Sequence, residues 1–442
     1  MPFMPFQILG IWLRGLLAFI LLGVGLYLLG EWYTHRKVFI PEPGPAARTE
    51  SPPGDQDRGP ARQGANPSPS ATQAGQTRRV DWQFGFNRET AYLLAGLALV
   101  GWSLGGRFLW PSLLRRRGED EPKEALRGAV QRLRHPDGTE LHVELYGPEG
   151  GTPVVLTHGW GLDSDEWYYA KKELGDRFRL IAWDLPGLGR SSRPADNDWS
   201  LDKLAGHLEA VLALAGERPA VLVGHSIGGM ITLTFCRLFP ETLGRRVCGL
   251  VLAHSTYTNP VKTTSMAGLY TAIQKPVLEP LCHLAVWLSP LVWLMNWLSY
   301  LNGSAHRSTE RTSFSGRESR GQLDFLSRYS VRAWPGVLAR GMLAMFRYEA
   351  TVTLGSIPVR TLIVAGDQDK TCTLEASAEM SRAIPEATLL TLEPARHCGL
   401  FEHHRRFAAG VGDFVVACVE CQGQGAAERA GHRREGSLPR GG

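Results

Sequence analysis

The chain has 442 residues, with 48 lysines and arginines against 43 acidic residues and a net charge of +5. A charge so nearly balanced argues against nucleic acid as a partner, and the length exceeds one average domain. Seven cysteines, an odd number without framework spacing, argue for free thiols. Cys418 and Cys421 form a single pair with no second pair nearby, so no metal site is read there.

In chain order, Ile8 to Leu29 comes first, with Arg14 as its only charge. It is close to the ~20 apolar residues that span a hydrocarbon core. Trp32 and Tyr33 suit an interfacial belt, and no small-residue cleavage site follows, so residues 1–40 read as an uncleaved membrane anchor. Residues 41–88, rich in Pro, Gly, Ser and Gln, read as a disordered linker. Residues 89–113 form a second apolar segment, broken by Arg107 and closed by Trp110-Pro111, and are read as transmembrane. Arg36 and Lys37 follow the first segment and Arg115 to Arg117 the second, and a hairpin cannot place both clusters inside. The tighter arginine triplet puts the remaining domain on the cytoplasmic face.

Residues 124–421 read as one α/β domain. After the hairpin signal Pro136-Asp137-Gly138 come continuous apolar runs of the kind that form parallel strands, separated by helices such as Asp202 to Ala215. This alternation predicts a doubly wound, mostly parallel sheet, which binds ligands outside the carboxyl ends of its strands. The stretch between His254 and Val359 is too long for a simple connection and predicts a helical cap at about 255–350. Within it, Leu281 to Leu301 holds Trp287, Trp293, Met295 and Trp297. It fits a helix pair packed on the core and broken at Pro290, and equally a lining for an acyl pocket or a segment dipping into a bilayer. Residues 422–442, Gly- and Arg-rich, read as a disordered tail.

Gly224-His225-Ser226-Ile227-Gly228 closes the run Ala220 to Val223 and opens another at Met230. Strand, sharp turn, helix is the setting in which such a pentapeptide exposes a nucleophilic serine. A serine needs a base, and the base needs an orienting acid. Val359 to Ala365 reads as a strand followed by Gly366-Asp367-Gln368-Asp369, and Ala387 to Leu392 as the next, followed by His397. Of the two aspartates Asp369 is favoured over Asp367, because the first aspartate of such a turn more often serves backbone hydrogen bonds. The N–H groups of Ile227 and Trp160 are the candidate oxyanion donors, with His158 bracing the Trp160 loop.

These motifs, with Asp184-Leu185-Pro186-Gly187-Leu188-Gly189 and Glu402 five residues after His397, resemble the α/β-hydrolase superfamily in its cap-bearing lipase and esterase branch. The layout is similar to that of membrane-anchored acylglycerol lipases. The resemblance implies an α/β-hydrolase fold, a triad of Ser226, Asp369 and His397, no cofactor and no metal. It also implies a small-molecule or lipid ester as substrate, with a membrane as the other partner. Lys370-Thr371-Cys372 departs from the apolar residue and proline that usually follow the acid. Relatives that keep the same triad include cofactor-free haloperoxidases and carbon–carbon hydrolases, and a non-catalytic binding or sensing protein on this scaffold is the further alternative.

Overall fold

The computed structural model describes residues 5–35, 87–122 and 126–435. The expected linker falls outside them up to residue 86, as do residues 436–442. Two apolar helices come first, α1 (Pro5–His35) and α2 (Arg88–Leu114). Within them Gly10–His35 and Arg88–Leu109 are each long and apolar enough to cross a bilayer. Residues 24–99 form one compact unit and the rest of the chain another. In the first unit a side chain at Gly96 would overlap Leu29, so α1 and α2 approach closely there. In the second, Ile11 is buried in the main apolar core.

That second unit is built on one eight-stranded sheet. Its strands are β1 (Ala129–Arg134), β2 (Glu140–Tyr146), β3 (Pro153–Thr157), β4 (Arg179–Trp183), β5 (Ala220–His225), β6 (Val247–Ala253), β7 (Arg360–Gly366) and β8 (Ala387–Leu392). The order is β1-β2-β4-β3-β5-β6-β7-β8, with β2 antiparallel to both neighbours and β3 to β8 parallel. Successive strand residues point to opposite faces, which explains the continuous apolar runs. Val155, Leu222, Leu250 and Ile363 feed one core layer, while Val154, Val221, Val251 and Leu362 feed the other. This is the doubly wound, mostly parallel sheet expected of the chain.

Helices α3 (Tyr168–Leu174), α4 (Leu201–Leu212) and α5 (Ile227–Leu238) connect the central strands. The start of α4 is set by Ser200, whose side chain accepts from the Lys203 N–H. Between β6 and β7, ahead of one further short helix, lie α6 (Ala267–Ile273), α7 (Glu279–Trp287), α8 (Ser289–Leu301), α9 (Ser304–Ser313), α10 (Arg320–Arg332) and α11 (Pro335–Met345). They occupy the stretch expected to form the cap, and α7 and α8 are broken next to Pro290, which sits in the first turn of α8 where proline is tolerated. The remaining helices are α12 (Thr351–Leu354), α13 (Leu374–Ala383), α14 (Gly399–Glu402) and α15 (His404–Glu435). On one face of the sheet α4, α5 and α13 bury Leu208, Ile231 and Met380; on the other, α3 and α15 bury Leu174, Val411 and Val415.

Helix α15 continues through residues 422–435, where a disordered tail is expected. Its first turns are fixed by burial of Phe407, Val411 and Val415. Once a helix is nucleated each added residue gains a hydrogen bond, and the Gln, Ala, Glu and Arg of this extension are good helix formers. Cys418 lies inside the packed part and is buried beside Gly249, and all seven cysteines are free.

The cap meets the sheet domain tightly at α11, where a methyl group on Gly341 would overlap the Trp160 ring. Gly341→Val is therefore expected to destabilise the domain by about 1–3 kcal/mol, as overpacking of a filled site does. The midpoint of chemical denaturation, measured on the full chain in detergent, reads this directly. An unchanged midpoint would mean that α11 can slide away from the ring.

Candidate active site

Strand β5 ends at His225 and α5 begins at Ile227, leaving Ser226 alone to make the turn, at φ 55° and ψ −116°. A side-chain-bearing residue rarely adopts this conformation unless its surroundings impose it. Here the Ser226 N–H donates to the Ala253 carbonyl at 2.9 Å, and the Ser255 hydroxyl donates to the Ser226 carbonyl at 2.7 Å. A side chain on Gly224 would overlap Gly228, and one on Gly228 would overlap the Thr157 carbonyl. The turn has room for neither.

Three expected side chains meet at this turn. His397 Nε2 lies 3.1 Å from Ser226 Oγ, and its Nδ1 lies 2.8 Å from Asp369 Oδ2. With Nδ1–H donating to the carboxylate, Nε2 is left to accept the serine proton. Asp369 Oδ1 also accepts the Thr371 and Cys372 N–H groups at 2.8 and 3.1 Å. The unusual Lys370-Thr371-Cys372 thus closes on the acid as a turn. Asp367 is turned elsewhere, its Oδ1 accepting the Ala395 N–H at 2.8 Å.

Ser226, Asp369 and His397 are 3, 4 and 1% exposed. Burial pushes the His397 imidazole below its ordinary value, against the opposing pull of Asp369. For Asp369 burial acts upward, but His397 and His254 outweigh it and hold the carboxyl well below the usual carboxylate range.

Two side chains at this site carry no sequence motif. His254 follows β6 at φ 46°, and its Nδ1–H points to Asp369 Oδ2 at 3.3 Å, the same oxygen that His397 uses. Burial pushes His254 down to about 4. Glu166 accepts the Gly159 N–H at 2.7 Å through Oε2, and its Oε1 lies against His225 Nδ1. His225 Nε2–H in turn donates to the His397 carbonyl at 3.0 Å. One polar chain therefore links the Gly159-Trp160 loop, the serine turn and the His397 loop. In sequence Glu166 belongs to the polar run Asp163-Ser164-Asp165-Glu166, all four of which are buried.

The remaining expected residues lie close by. His158 Nδ1–H donates to the Gly159 carbonyl at 2.8 Å, and its Nε2 accepts the Leu185 N–H at 2.9 Å, bracing two strand-end loops together. The Trp160 indole donates to the Leu338 carbonyl of α11 at 3.0 Å. Ile227 is the first residue of α5, so its N–H has no acceptor within the helix. Glu402 accepts the Ser315 N–H at 2.7 Å and the Arg317 N–H at 3.2 Å, and so holds the segment between α9 and α10. Among the described residues two groups could share a metal ion, His135 with Asp137 and His207, and Asp120 with Glu173 and His404. In the first, the Lys203 ammonium already lies 2.8 Å from Asp137 Oδ2.

Residues 154–410 match the sequence model of the Alpha/beta hydrolase family. The dihydrolipoyllysine-residue acetyltransferase component of the acetoin cleaving system of Pseudomonas putida is 34% identical over 135 residues, which are 30% of this chain and 35% of that protein. This match thus spans about a third of the relative. The 2-hydroxymuconate semialdehyde hydrolase of Pseudomonas sp. strain CF600 is 29% identical over 289 residues, covering 62% of this chain and 91% of the relative. Among solved structures, an esterase from Exiguobacterium antarcticum superposes with a TM-score of 0.54 at 22% identity, over 65% of this chain and 99% of its own. The sheet order, the serine turn after β5 and a family match over more than half of the sequence agree: the chain belongs to the α/β-hydrolase family.

Proposed function

We propose that the protein is a membrane-anchored serine hydrolase that cleaves carboxylesters with apolar acyl chains. The observation that carries this reading is the serine hydroxyl 3.1 Å from an imidazole nitrogen whose partner nitrogen lies 2.8 Å from a buried carboxylate. Ser226 Oγ attacks the ester carbonyl while His397 Nε2 takes its proton, and Asp369 stabilises the imidazolium that forms. The N–H groups of Ile227 and Trp160 receive the oxyanion. Gly159 is not available for this, because its N–H is held by Glu166. Each well-placed oxyanion donor contributes about 3–4 kcal/mol to the transition state. His397 then protonates the leaving alcohol, and water, deprotonated by the same nitrogen, releases the acid from the acyl-enzyme.

Hydrolytic chemistry is supported by the relative that matches over most of its own length, which is named a hydrolase. Apolar substrates are favoured by the apolar cap helices α7, α8 and α11, since burying acyl surface stabilises the complex by ~25 cal/mol per Å². Helices α1 and α2, each long and apolar enough to cross a bilayer, support the anchoring, and the arginine triplet Arg115 to Arg117 beyond α2 favours a hydrolase domain on the cytoplasmic side.

A fluorophosphonate probe should label the full chain at Ser226, and Ser226→Ala should abolish labelling and lower kcat by about 10⁴-fold or more. p-Nitrophenyl esters of graded chain length should show rates rising with acyl length. A Ser226→Ala variant as active as the wild type, or a preference for acetate, would end this reading.

The His397 base works when neutral, and burial lowers its pKa. The neutral form therefore persists to lower pH than for a free imidazole and is lost as pH falls through the depressed value. The acid limb of kcat/KM against pH, measured on a soluble ester, is expected to have its midpoint below ~6.5. A midpoint at or above that value would contradict the assignment of the buried imidazole as base.

A further inference from the structure

The cap carries a broad apolar surface in contact with solvent. Val277, Leu284, Trp287, Leu291, Trp293 and Leu294 are exposed, Trp287 by 79%. Val277, Leu284 and Trp287 recur at helical spacing and share one face, and Leu291 and Leu294 share another on α8. From Met266 to Leu294, Lys275 is the only exposed charged residue. Soluble proteins rarely leave so much contiguous apolar surface uncovered. The pair Ala267–Trp287 and Ser289–Leu301 would match a membrane span in length and composition but is bent by 98°.

The place of this surface relative to α1 and α2 says what covers it. Gly15 of α1 leaves room for Met295 of α8 directly on its backbone, and Gly106 of α2 does the same for Asn302. The two charges that interrupt the apolar segments both turn to the cap: Arg14 Nη1 donates to the Ser308 hydroxyl at 2.7 Å, and Arg107 Nη1 to the Tyr300 hydroxyl at 3.2 Å. Charges in a membrane-spanning helix face protein rather than lipid. At the same level Leu13, Leu16 and Leu17 of α1 point outward and are exposed. A bilayer that covers these leucines also reaches α8. Further along α8 the surface changes character. Beside it Arg107, Arg117, Arg320 and Arg328 line a cleft of about 630 Å³ together with Glu119, Glu121 and Asp324, a mixed-charge surface that suits the water-facing side of the interface rather than the apolar phase.

We propose that the exposed face of α7 and α8 is seated in the phospholipid bilayer crossed by α1 and α2, so that the ester reaches the cap from the lipid phase. This rests on the membrane-spanning assignment above and adds the source of the substrate. Helix α7 packs on α11, whose Leu338 carbonyl holds the Trp160 indole. The lipid-facing helix is thus one layer from the loop beside Ser226.

The test is a spin label on the full chain in phosphatidylcholine–phosphatidylglycerol vesicles, with the one exposed cysteine removed by Cys421→Ser. Labels are placed at Trp287→Cys and, as a water-facing control, at Val352→Cys, which is 89% exposed. The ratio of oxygen to nickel-chelate accessibility should be several-fold higher at 287 than at 352. Equal ratios would overturn the proposal, because the face would then be in water. Low access to both reagents would overturn it as well, because a second copy or a partner protein would then cover the face. The measurement needs no turnover, so a wild type inactive on every ester would sink the hydrolase reading and leave this one to be decided by depth. In addition, Leu284→Gln combined with Trp287→Gln and Leu291→Gln should slow hydrolysis of a vesicle-borne long-chain ester about tenfold and leave a water-soluble short ester unaffected. An equal loss on both substrates would count against lipid docking.

Discussion

The structure depends on a steric constraint at one turn. Ser226 can stand between β5 and α5 only because Gly224 and Gly228 let the end of β3, the turn and the helix approach more closely than side chains permit. The strained Ser226 backbone is held by hydrogen bonds from its own N–H and to its own carbonyl, both made to the end of β6. Since β3, β5, β6, β7 and β8 are parallel neighbours, their carboxyl ends lie along one rim, and that rim supplies Trp160, Ser226, His254, Asp369 and His397. Loosening the turn would move the serine against every one of these groups. The sheet registers the strands, the glycines set the serine, and the polar groups have only to reach across short distances.

Buried charge then stiffens what packing has placed. Glu144 on β2 is fully buried, yet it accepts from Arg127 and Arg190 at 3.0 Å each and from Lys171 at 3.0 Å. Burial acts to raise its pKa, but His142 and Lys171 outweigh it and keep the carboxyl ionised well below the usual range. Removing the carboxylate would strand the buried Lys171 ammonium in a poor solvent, which costs about 3–5 kcal/mol. Glu166 does the same job nearer the serine. Its two oxygens hold the Gly159 N–H and face His225, so the loop before Trp160 cannot drift without disturbing the residue next to Ser226. Asp369 is likewise held by Thr371, Cys372, His254 and His397 together.

Much of this was legible in the sequence because it follows from local patterns. Continuous apolar runs marked β5 and β7, and Leu374 to Ala383 stands out as a helix between two strands. The pentapeptide around Ser226 and the loops ending in Asp369 and His397 could be placed because each follows a strand. What escaped was set by tertiary contacts. His254 looks like any strand end until β6 and β7 bring it beside Asp369. Glu166 looks solvated until His225, far along the chain, closes on it. The end of α15 misled for another reason: composition alone reads glycine and arginine as disorder, whereas a helix already nucleated on the sheet carries them along.

The same distinction applies to the N-terminal helices. Composition marks Arg14 and Arg107 as flaws in two apolar segments, while the structure gives each a polar partner on a cap helix. An arginine facing lipid alone would be costly and would disfavour insertion. Facing a hydroxyl on the cap, it favours one rotation of the segment about its axis, because only that rotation brings the guanidinium to the hydroxyl. Gly15 and Gly106 set the complementary condition, since only those faces can approach α8 and the start of α9 closely enough. Polar partner and small residue therefore select the same face of each helix. Residues 10–23 of α1 and 100–114 of α2 are thereby built into the unit that carries the sheet, and the cap is held from two sides: by α11 on Trp160 and by α8 on these two helix portions.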